Sequence, residues 1–287
     1  MTAKILDGKA IAKNIRSQLK LKINDLIQSG LRAPSLSVVL VDKEPSSEIY
    51  VRNKQQACEE IGIISTIHNL PKNTELSTLF SIITDLNQDK SIDGILVQLP
   101  LPSTINAHDI LEHIHPNKDV DGLHPFNLGK LAQKRPYLRP CTPYGIMTLL
   151  KETKINIAGL HATVVGISNI VGKPMIFELL NVGTTVTGCH RLTKDLPAKV
   201  KSADILIVAT GNPSLIKGNW IKPGAIVIDV GINRLHTGKL VGDVEFDIAK
   251  KNASWITPVP GGVGPMTIAA LLQNTLYAHQ TLIKEQN

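Results

Sequence analysis

The sequence predicts an α/β protein of two domains, each built on a parallel sheet. Three observations carry this prediction. Short apolar runs alternate with amphipathic stretches along the chain, a proline-rich connection near residue 140 divides the alternation in two, and in the second half a buried run passes through a glycine turn directly into a helix. A chain of 287 residues, 43% of them apolar, can fill a large core in two such domains.

In the first half a helical stretch closes at Gly30. A strand is then expected over 35–41, a helix over 46–60, a strand over 63–70, a helix over 76–86, a buried strand over 92–98 and a helix over 107–114. This β–α–β alternation implies parallel strands. The segment Arg139-Pro140-Cys141-Thr142-Pro143 interrupts it, with Thr142 suited to an N-cap and Pro143 to the first helical position. The division between domains is therefore placed there, giving 1–139 and 140–287. Strands resume over 163–166, 184–190, 204–210 and 225–230. A final helix over 267–283 carries Ile268, Leu271, Leu272 and Leu276 on one face, and is expected to pack back across the first domain.

Several classes are disfavoured. Residues 1–14 hold no uninterrupted apolar stretch, and no run is long enough to cross a bilayer, so a cytoplasmic protein without a membrane partner is expected. Cys58, Cys141 and Cys189 are far apart and odd in number, which suggests neither a disulfide framework nor a zinc site; each reads as a small apolar filler. The net charge of +7 is spread along the chain and only 3% of residues are aromatic, so a nucleic-acid platform is not indicated. Small anionic ligands suit this surface better.

Residues 163–174, Thr-Val-Val-Gly-Ile-Ser-Asn-Ile-Val-Gly-Lys-Pro, form the strand-turn-helix segment. Gly166 lets the backbone leave the strand sharply, Ser168 offers a hydroxyl, Gly172 permits close helix contact, and the free N–H groups of the helix start face an anion. The spacing departs from G-x-G-x-x-G, because Ser168 stands at the second glycine and Gly172 falls one residue late; on this segment alone an ordinary strand-to-helix turn fits as well. Context favours a Rossmann-like NAD(P)-binding domain. The next strand ends in His190-Arg191, without the carboxylate that would hold ribose hydroxyls. Arg191 can pair with a 2′-phosphate, which favours NADP, or stand as a solvated loop charge.

In the helix over 46–60, Tyr50 and Lys54 lie one turn apart on one face, with Ser47 a turn before Tyr50. A ring there can stack a flat substrate while a desolvated amine acts as base or places water; a plain surface Tyr-Lys pair is the alternative. Gln98 closes the strand over 92–98, where parallel sheets bind ligands, and either bonds Lys54 or substrate or meets water. Lys118-Asp119-Val120-Asp121-Gly122 supplies two carboxylates, of which only one is expected to face a pocket; Asp121, followed by Gly122, is the candidate. No third oxygen ligand at calcium-loop spacing follows, so no metal is required. The loop 258–265, with Gly261, Gly262 and Gly264, suits either close backbone approach to ligands or a bend between domains.

Together these residues resemble the bifunctional methylenetetrahydrofolate dehydrogenase/methenyltetrahydrofolate cyclohydrolase family. The resemblance runs in order through 47–54, 94–102, 118–122, 140–143, 166–174 and 257–267. It implies oxidation of 5,10-methylenetetrahydrofolate by NADP⁺ and hydrolysis of the methenyl product to 10-formyltetrahydrofolate, serving purine, methionine and histidine biosynthesis. By the same resemblance Lys54 is the central catalytic group, Gln98 tunes it, Tyr50 stacks on the aminobenzoyl ring, Asp121 binds the pterin and Ser47 supports the helix. Pro260 and Gly261 lie beside the folate, Gly166, Ile167, Ser168 and Ile232 line the cofactor site, and the protein is a homodimer through its cofactor domains. One departure stands out: relatives carry arginine after the first glycine of the cofactor turn, where this chain has Ile167, so Arg191 is expected to supply the charge.

Two other readings fit less of the sequence. An NADP-dependent dehydrogenase of another small metabolite, without hydrolase activity, leaves Tyr50, Lys54, Gln98 and Asp121 unexplained, and a non-catalytic nucleotide-sensing module would tolerate loss of Lys54 and Gln98. No G-x-x-x-x-G-K-[ST] loop is present for ATP-dependent ligation of formate.

Overall fold

The structure is a computed structural model and describes residues 2–42 and 45–286. In chain order its elements are β1 (Lys4–Ile5), α1 (Gly8–Gln28), β2 (Ser35–Val41), α2 (Pro45–Ile61), β3 (Ile64–Leu70), α3 (Leu76–Gln88), β4 (Gly94–Val97), α4 (Ala107–His113), α5 (Pro125–Ala132) and α6 (Cys141–Glu152). There follow β5 (His161–Val165), α7 (Gly172–Asn181), β6 (Thr185–Cys189), α8 (Leu196–Lys201), β7 (Ile205–Val208), β8 (Ile226–Asp229), β9 (Asn233–Arg234), β10 (Leu240–Val241), α9 (Phe246–Asn252), β11 (Trp255–Ile256) and α10 (Val263–Gln286).

The chain divides into two compact units, each discontinuous. One takes in Met1–Lys13, Leu131–Arg135 and Thr142–Thr267; the other Asn14–Lys130, Pro136–Cys141 and Ile268–Asn287. The α/β class with two parallel sheets is the one the sequence predicts. Position 139/140 separates the two sheets along the chain, except that β1 joins the later sheet.

In the unit that holds Lys54, three parallel strands run in the order β3-β2-β4. Every residue of β2 is buried, as expected of a central parallel strand covered on both faces. Its core gathers Val39, Val41, Ile95 and Val97 from the sheet with Leu79, Ile83 and Ile110 from α3 and α4. This leaves the strand ends near Val41 and Val97 as the rim on which polar residues can stand.

The other unit holds six parallel strands in the order β1-β11-β8-β7-β5-β6. After β5 the chain lays β6 on one side and then crosses to place β7 on the other, so winding reverses between β5 and β7. In open parallel sheets the crevice beyond the C-terminal strand ends at such a reversal takes the ligand.

Two local expectations are corrected. Thr142 is not an N-cap: α6 opens at Cys141, whose N–H donates to the Asp121 carbonyl at 3.2 Å, and the Thr142 hydroxyl instead meets Thr267 Oγ1 at 3.0 Å. The last helix starts at Val263, four residues before 267, with Pro265 in its first turn, where a missing N–H costs nothing. The short α5, α8 and α9 and the two-residue strands are too brief for a period to show in the sequence.

Candidate active site

Helix α2 carries Tyr50, Lys54 and Cys58 at four-residue intervals, so all three share one face. Ser47 belongs to the same helix, but its side chain lies outside the described residues. Lys54 Nζ donates to Gln98 Oε1 at 2.9 Å. Gln98 is held for this on two sides: its backbone N–H donates to the Val39 carbonyl at 2.9 Å and its Nε2 to the Leu99 carbonyl at 2.6 Å. With Nε2 so engaged, only the oxygen is left to face the amine. Desolvation lowers the Lys54 pKa from the ordinary lysine value, opposed by the negative charge of Asp121. Tyr50 remains 38% exposed, while burial pushes up its phenol pKa.

The two carboxylates of 118–122 have separate roles. Residues i and i+2 of a regular strand share a face, but here only Asp119 makes a bridge, to Ile95, and the flanking residues form turns that send the side chains apart. Asp119 is buried. Its Oδ2 accepts from the N–H of His124 and from Asn127 Nδ2, both at 2.8 Å, and desolvation pushes its pKa to about 6. Asp121 is half-buried and acts electrostatically on Lys54.

Sequence reasoning missed the supports of Asp121. Gly122 has φ +74°, and a Cβ there would overlap the backbone of Arg139 and Pro140, so the turn closes tightly on that segment. Asn274, from α10, donates through Nδ2 to the Val120 carbonyl at 2.9 Å and the Arg139 carbonyl at 2.7 Å, clamping the same two strands of chain. Cys141, read as a filler, does pack in the core, yet its thiol also donates to the Val120 carbonyl at 3.2 Å. Burial first, and then the Asp121 charge, hold that thiol well above its ordinary pKa, so it is neutral. No spacing rule links residue 274 to residue 120; the signal exists only in three dimensions.

In the six-stranded unit, Gly166 follows β5 with φ +93°, and a Cβ would overlap the carbonyl of Ala209 beyond β7. Gly172 likewise touches the Gly166 carbonyl and the Ile167 backbone, so both glycines are demanded by close approach. The amides of Ile167, Ser168, Asn169 and Ile170 have no protein acceptor among the described residues. Ser168 Oγ accepts the Val171 N–H at 3.2 Å, which ties the turn to the start of α7. A bare set of amides at a helix start, in a turn whose two glycines are demanded by close backbone approach, fits a phosphate group.

Val165 and Cys189 are register partners, so Ile167 and Arg191 stand two residues beyond neighbouring strand ends. Arg191 is exposed in the turn after β6. Ile232, after β8, is 41% exposed and lies near Gly264, while Pro260 is exposed and Gly261 has φ +107° with its carbonyl accepting the Lys9 N–H at 3.0 Å. Among the described residues no helix is long and apolar enough to cross a membrane, and no group of three His, Cys, Asp or Glu could hold a metal ion.

The winding reversal, the open amide cradle and a desolvated lysine under an amide oxygen define the class, an α/β enzyme with a dinucleotide-type domain. Residues 6–121 match the family described as "Tetrahydrofolate dehydrogenase/cyclohydrolase, catalytic domain", and residues 140–283 match "Tetrahydrofolate dehydrogenase/cyclohydrolase, NAD(P)-binding domain". The chain belongs to the tetrahydrofolate dehydrogenase/cyclohydrolase family, and is an enzyme of one-carbon interconversion on tetrahydrofolate. Among solved structures it is similar to the bifunctional enzyme FolD, methylenetetrahydrofolate dehydrogenase/cyclohydrolase, from Campylobacter jejuni, with 48% identity, a TM-score of 0.95, and 97% of this chain and 99% of that one covered. The Trypanosoma brucei methylenetetrahydrofolate dehydrogenase-cyclohydrolase complexed with NADP and an inhibitor is 38% identical, with a TM-score of 0.96 and 99% of each chain covered. A 5,10-methylenetetrahydrofolate dehydrogenase from the silkworm Bombyx mori is 43% identical, with a TM-score of 0.93, 98% of this chain and 99% of that one.

Proposed function

We propose that the chain oxidises 5,10-methylenetetrahydrofolate to the 5,10-methenyl form with NADP⁺, then hydrolyses that product to 10-formyltetrahydrofolate, with Lys54 as the group on which hydrolysis turns. The observation that carries this reading is the 2.9 Å bond from a desolvated Lys54 amine to a Gln98 oxygen whose orientation is fixed from behind. Burial favours the neutral form of this amine, whose lone pair can take a proton from water as the oxygen adds to the methenyl carbon. The tetrahedral centre then collapses with cleavage of its bond to the folate N5, leaving the formyl group on N10 and releasing one proton overall. Gln98 orients the amine, Asp121 raises its basicity against the desolvation and binds the pterin, and Tyr50 offers its half-exposed ring to the aminobenzoyl group.

When bound, NADP⁺ supplies the hydride acceptor. Ile167 and Ser168 would hold its pyrophosphate on free amides presented by the turn at Gly166, Ile232 would line the site with an apolar surface, and Arg191 would meet the 2′-phosphate. Functionally we divide the chain into a folate-binding part, 1–139, and an NADP-binding part, 140–287, with the later turns of α10 serving the former through Asn274. A homodimer through the NADP-binding part is supported by β6, which is the edge of its sheet, and by Leu180, Val182 and Leu192, which are 51%, 39% and 76% exposed nearby. Three free cysteines suit the reducing cytoplasm, where 10-formyltetrahydrofolate would feed purine synthesis and methenyl- and methylenetetrahydrofolate would serve the other one-carbon routes to methionine and histidine metabolism.

The test is a spectrophotometric one on purified protein. With methylenetetrahydrofolate and NADP⁺, reduced nicotinamide should accumulate; with methenyltetrahydrofolate alone, the methenyl chromophore should disappear at a catalysed rate without any nicotinamide. A dehydrogenase of another metabolite would do neither. Lys54→Met should lower the hydrolysis rate by about 10²–10⁴-fold, the usual contribution of a positioned general base, and undiminished hydrolysis would remove Lys54 from the mechanism.

A further inference from the structure

We infer that Asp243 is a positioning residue for the dinucleotide site, tying the loop beyond β7 to the loop beyond β8 so that the strand ends of the crevice keep one spacing. The inference rests on the reading that NADP binds at that end of the six-stranded sheet. Asp243 is completely buried, and its two oxygens serve different loops. Oδ2 accepts from the N–H of Thr210 at 2.6 Å, the Thr210 hydroxyl at 2.9 Å and the N–H of Gly211 at 2.9 Å, all beyond β7. Oδ1 accepts from Asn233 Nδ2 at 2.8 Å, directly after Ile232. A second buried carboxylate holds the first in place. Asp229, the last residue of β8, accepts through Oδ1 from the N–H groups of Gly231 at 3.0 Å and Asp243 at 2.9 Å, and through Oδ2 from Val244 at 2.9 Å. Gly231 and Gly242 make room for the pair, since a Cβ at the first would overlap the Asp243 carboxylate and at the second the Asp229 carboxylate.

Two buried carboxylates are an expensive way to fill a core unless each is saturated with donors, as these are. Burial still pushes the Asp229 pKa to about 6. Their donors come from loops at the ligand end of the sheet and not from the hydrophobic core, which is where a carboxylate retained only for packing would have no advantage over an apolar side chain. There is a further consequence. The consecutive amides of Thr210 and Gly211 stand beside Gly166, whose Cβ position is filled by the Ala209 carbonyl, and would themselves attract a phosphate. Asp243 occupies them with the protein's own anion. The open amides of 167–170 are then left to take the pyrophosphate, and the β7 and β8 ends, with Ile232, to take the uncharged end of the dinucleotide.

The experiment uses full-length Asp243→Asn, read by NADP⁺ titration, by the NADP⁺ KM of methylenetetrahydrofolate oxidation, and by methenyltetrahydrofolate hydrolysis without nicotinamide. The expected result is NADP⁺ binding weakened about tenfold or more, because an amide nitrogen now faces two N–H groups, with kcat and folate KM of hydrolysis moved by less than about twofold. Unchanged NADP⁺ affinity overturns the inference, and so does a proportional fall in both activities, which is what a merely structural role predicts. Should this variant not fold, Thr210→Val removes one donor and keeps the carboxylate; a smaller rise in the NADP⁺ dissociation constant alone supports the inference and no rise overturns it. Absence of NADP⁺ binding by the unaltered enzyme, with hydrolysis intact, overturns the cofactor reading and the inference with it.

Discussion

Lys54 owes its proposed chemistry to a balance between two opposing influences at one nitrogen. Loss of water lowers its pKa and the charge of Asp121 raises it, with desolvation the larger. Asp121→Asn removes that charge, so the amine's pKa falls further. If hydrolysis uses the neutral amine, the ascending limb of kcat/KM against pH for methenyltetrahydrofolate should move to lower pH in this variant; a limb that stays in place or moves upward would dissociate Asp121 from Lys54. The helical spacing of Tyr50 and Lys54 could be read from the sequence, because a period of 3.6 puts residues four apart on one face whatever surrounds them. The choice between Asp119 and Asp121 could be stated in the sequence but not explained there. It depends on Asn127 and the His124 backbone capturing the first carboxylate, and on turns that break the strand alternation between the two.

Among elements, the β5–turn–α7 segment was the most legible, since Gly166 and Gly172 sit where backbone atoms leave no space for a side chain. Its cofactor preference belongs instead to the pairing of β5 with β6. Val165 and Cys189 are register partners, so Arg191 follows β6 by two residues as Ile167 follows β5, and its charge is the one we propose for the 2′-phosphate. Arg191→Ala should therefore raise the KM for NADP⁺ by about tenfold or more, the worth of one charge-assisted phosphate contact, while that for NAD⁺ stays nearly constant. Equal changes for the two cofactors would refute the assignment. Elements such as α5, β1 and β11 escaped prediction for a simple reason: two to eight residues cannot display a period, and only docking on a neighbour gives them their form.

At the scale of the molecule, the Lys54 unit is closed by a buried ionic cluster that no motif announces. Arg32 meets both oxygens of Asp93, at 2.7 and 2.6 Å, Asp93 Oδ2 also accepts the Ser35 N–H at 2.8 Å, and His279 Nδ1 lies 2.9 Å from the same oxygen. These contacts tie the start of β2 and the approach to β4 to α10, joining residues 32, 93 and 279. Burial alone would raise the Asp93 pKa, but the bonds from His279 and Arg32 outweigh it and the pKa is lowered. The native state therefore binds protons here less readily than the unfolded chain, and this contribution to stability is full above the usual carboxylate range and is lost as pH falls through the depressed Asp93 value. Asp93→Asn removes the anion facing Arg32, which keeps the Ala33 and Lys90 carbonyls as acceptors, and should cost about 1.5–3 kcal/mol near neutral pH, the worth of hydrogen bonds to a charged group, measured by denaturant unfolding. The difference from the unaltered protein should shrink as pH falls below the usual carboxylate range, through the depressed Asp93 value. A difference that stays constant as pH falls well below the usual carboxylate range would exclude ionisation as its source.

The sequence by itself determined what depends on near neighbours along the chain: the alternation that makes two parallel sheets, the glycine turn into α7, and the shared face of Tyr50 and Lys54. The tertiary structure alone decided which carboxylate meets that lysine, how Gln98 turns its oxygen toward it, and that Asp243 and Asp229 bind the strand-end loops. The reason is one of range. Periodicity and backbone permissiveness act over a few residues and are written locally, whereas a hydrogen bond between Asn274 and the Val120 carbonyl, or a charge felt at Lys54 from Asp121, exists only after chain segments far apart in sequence have been packed together.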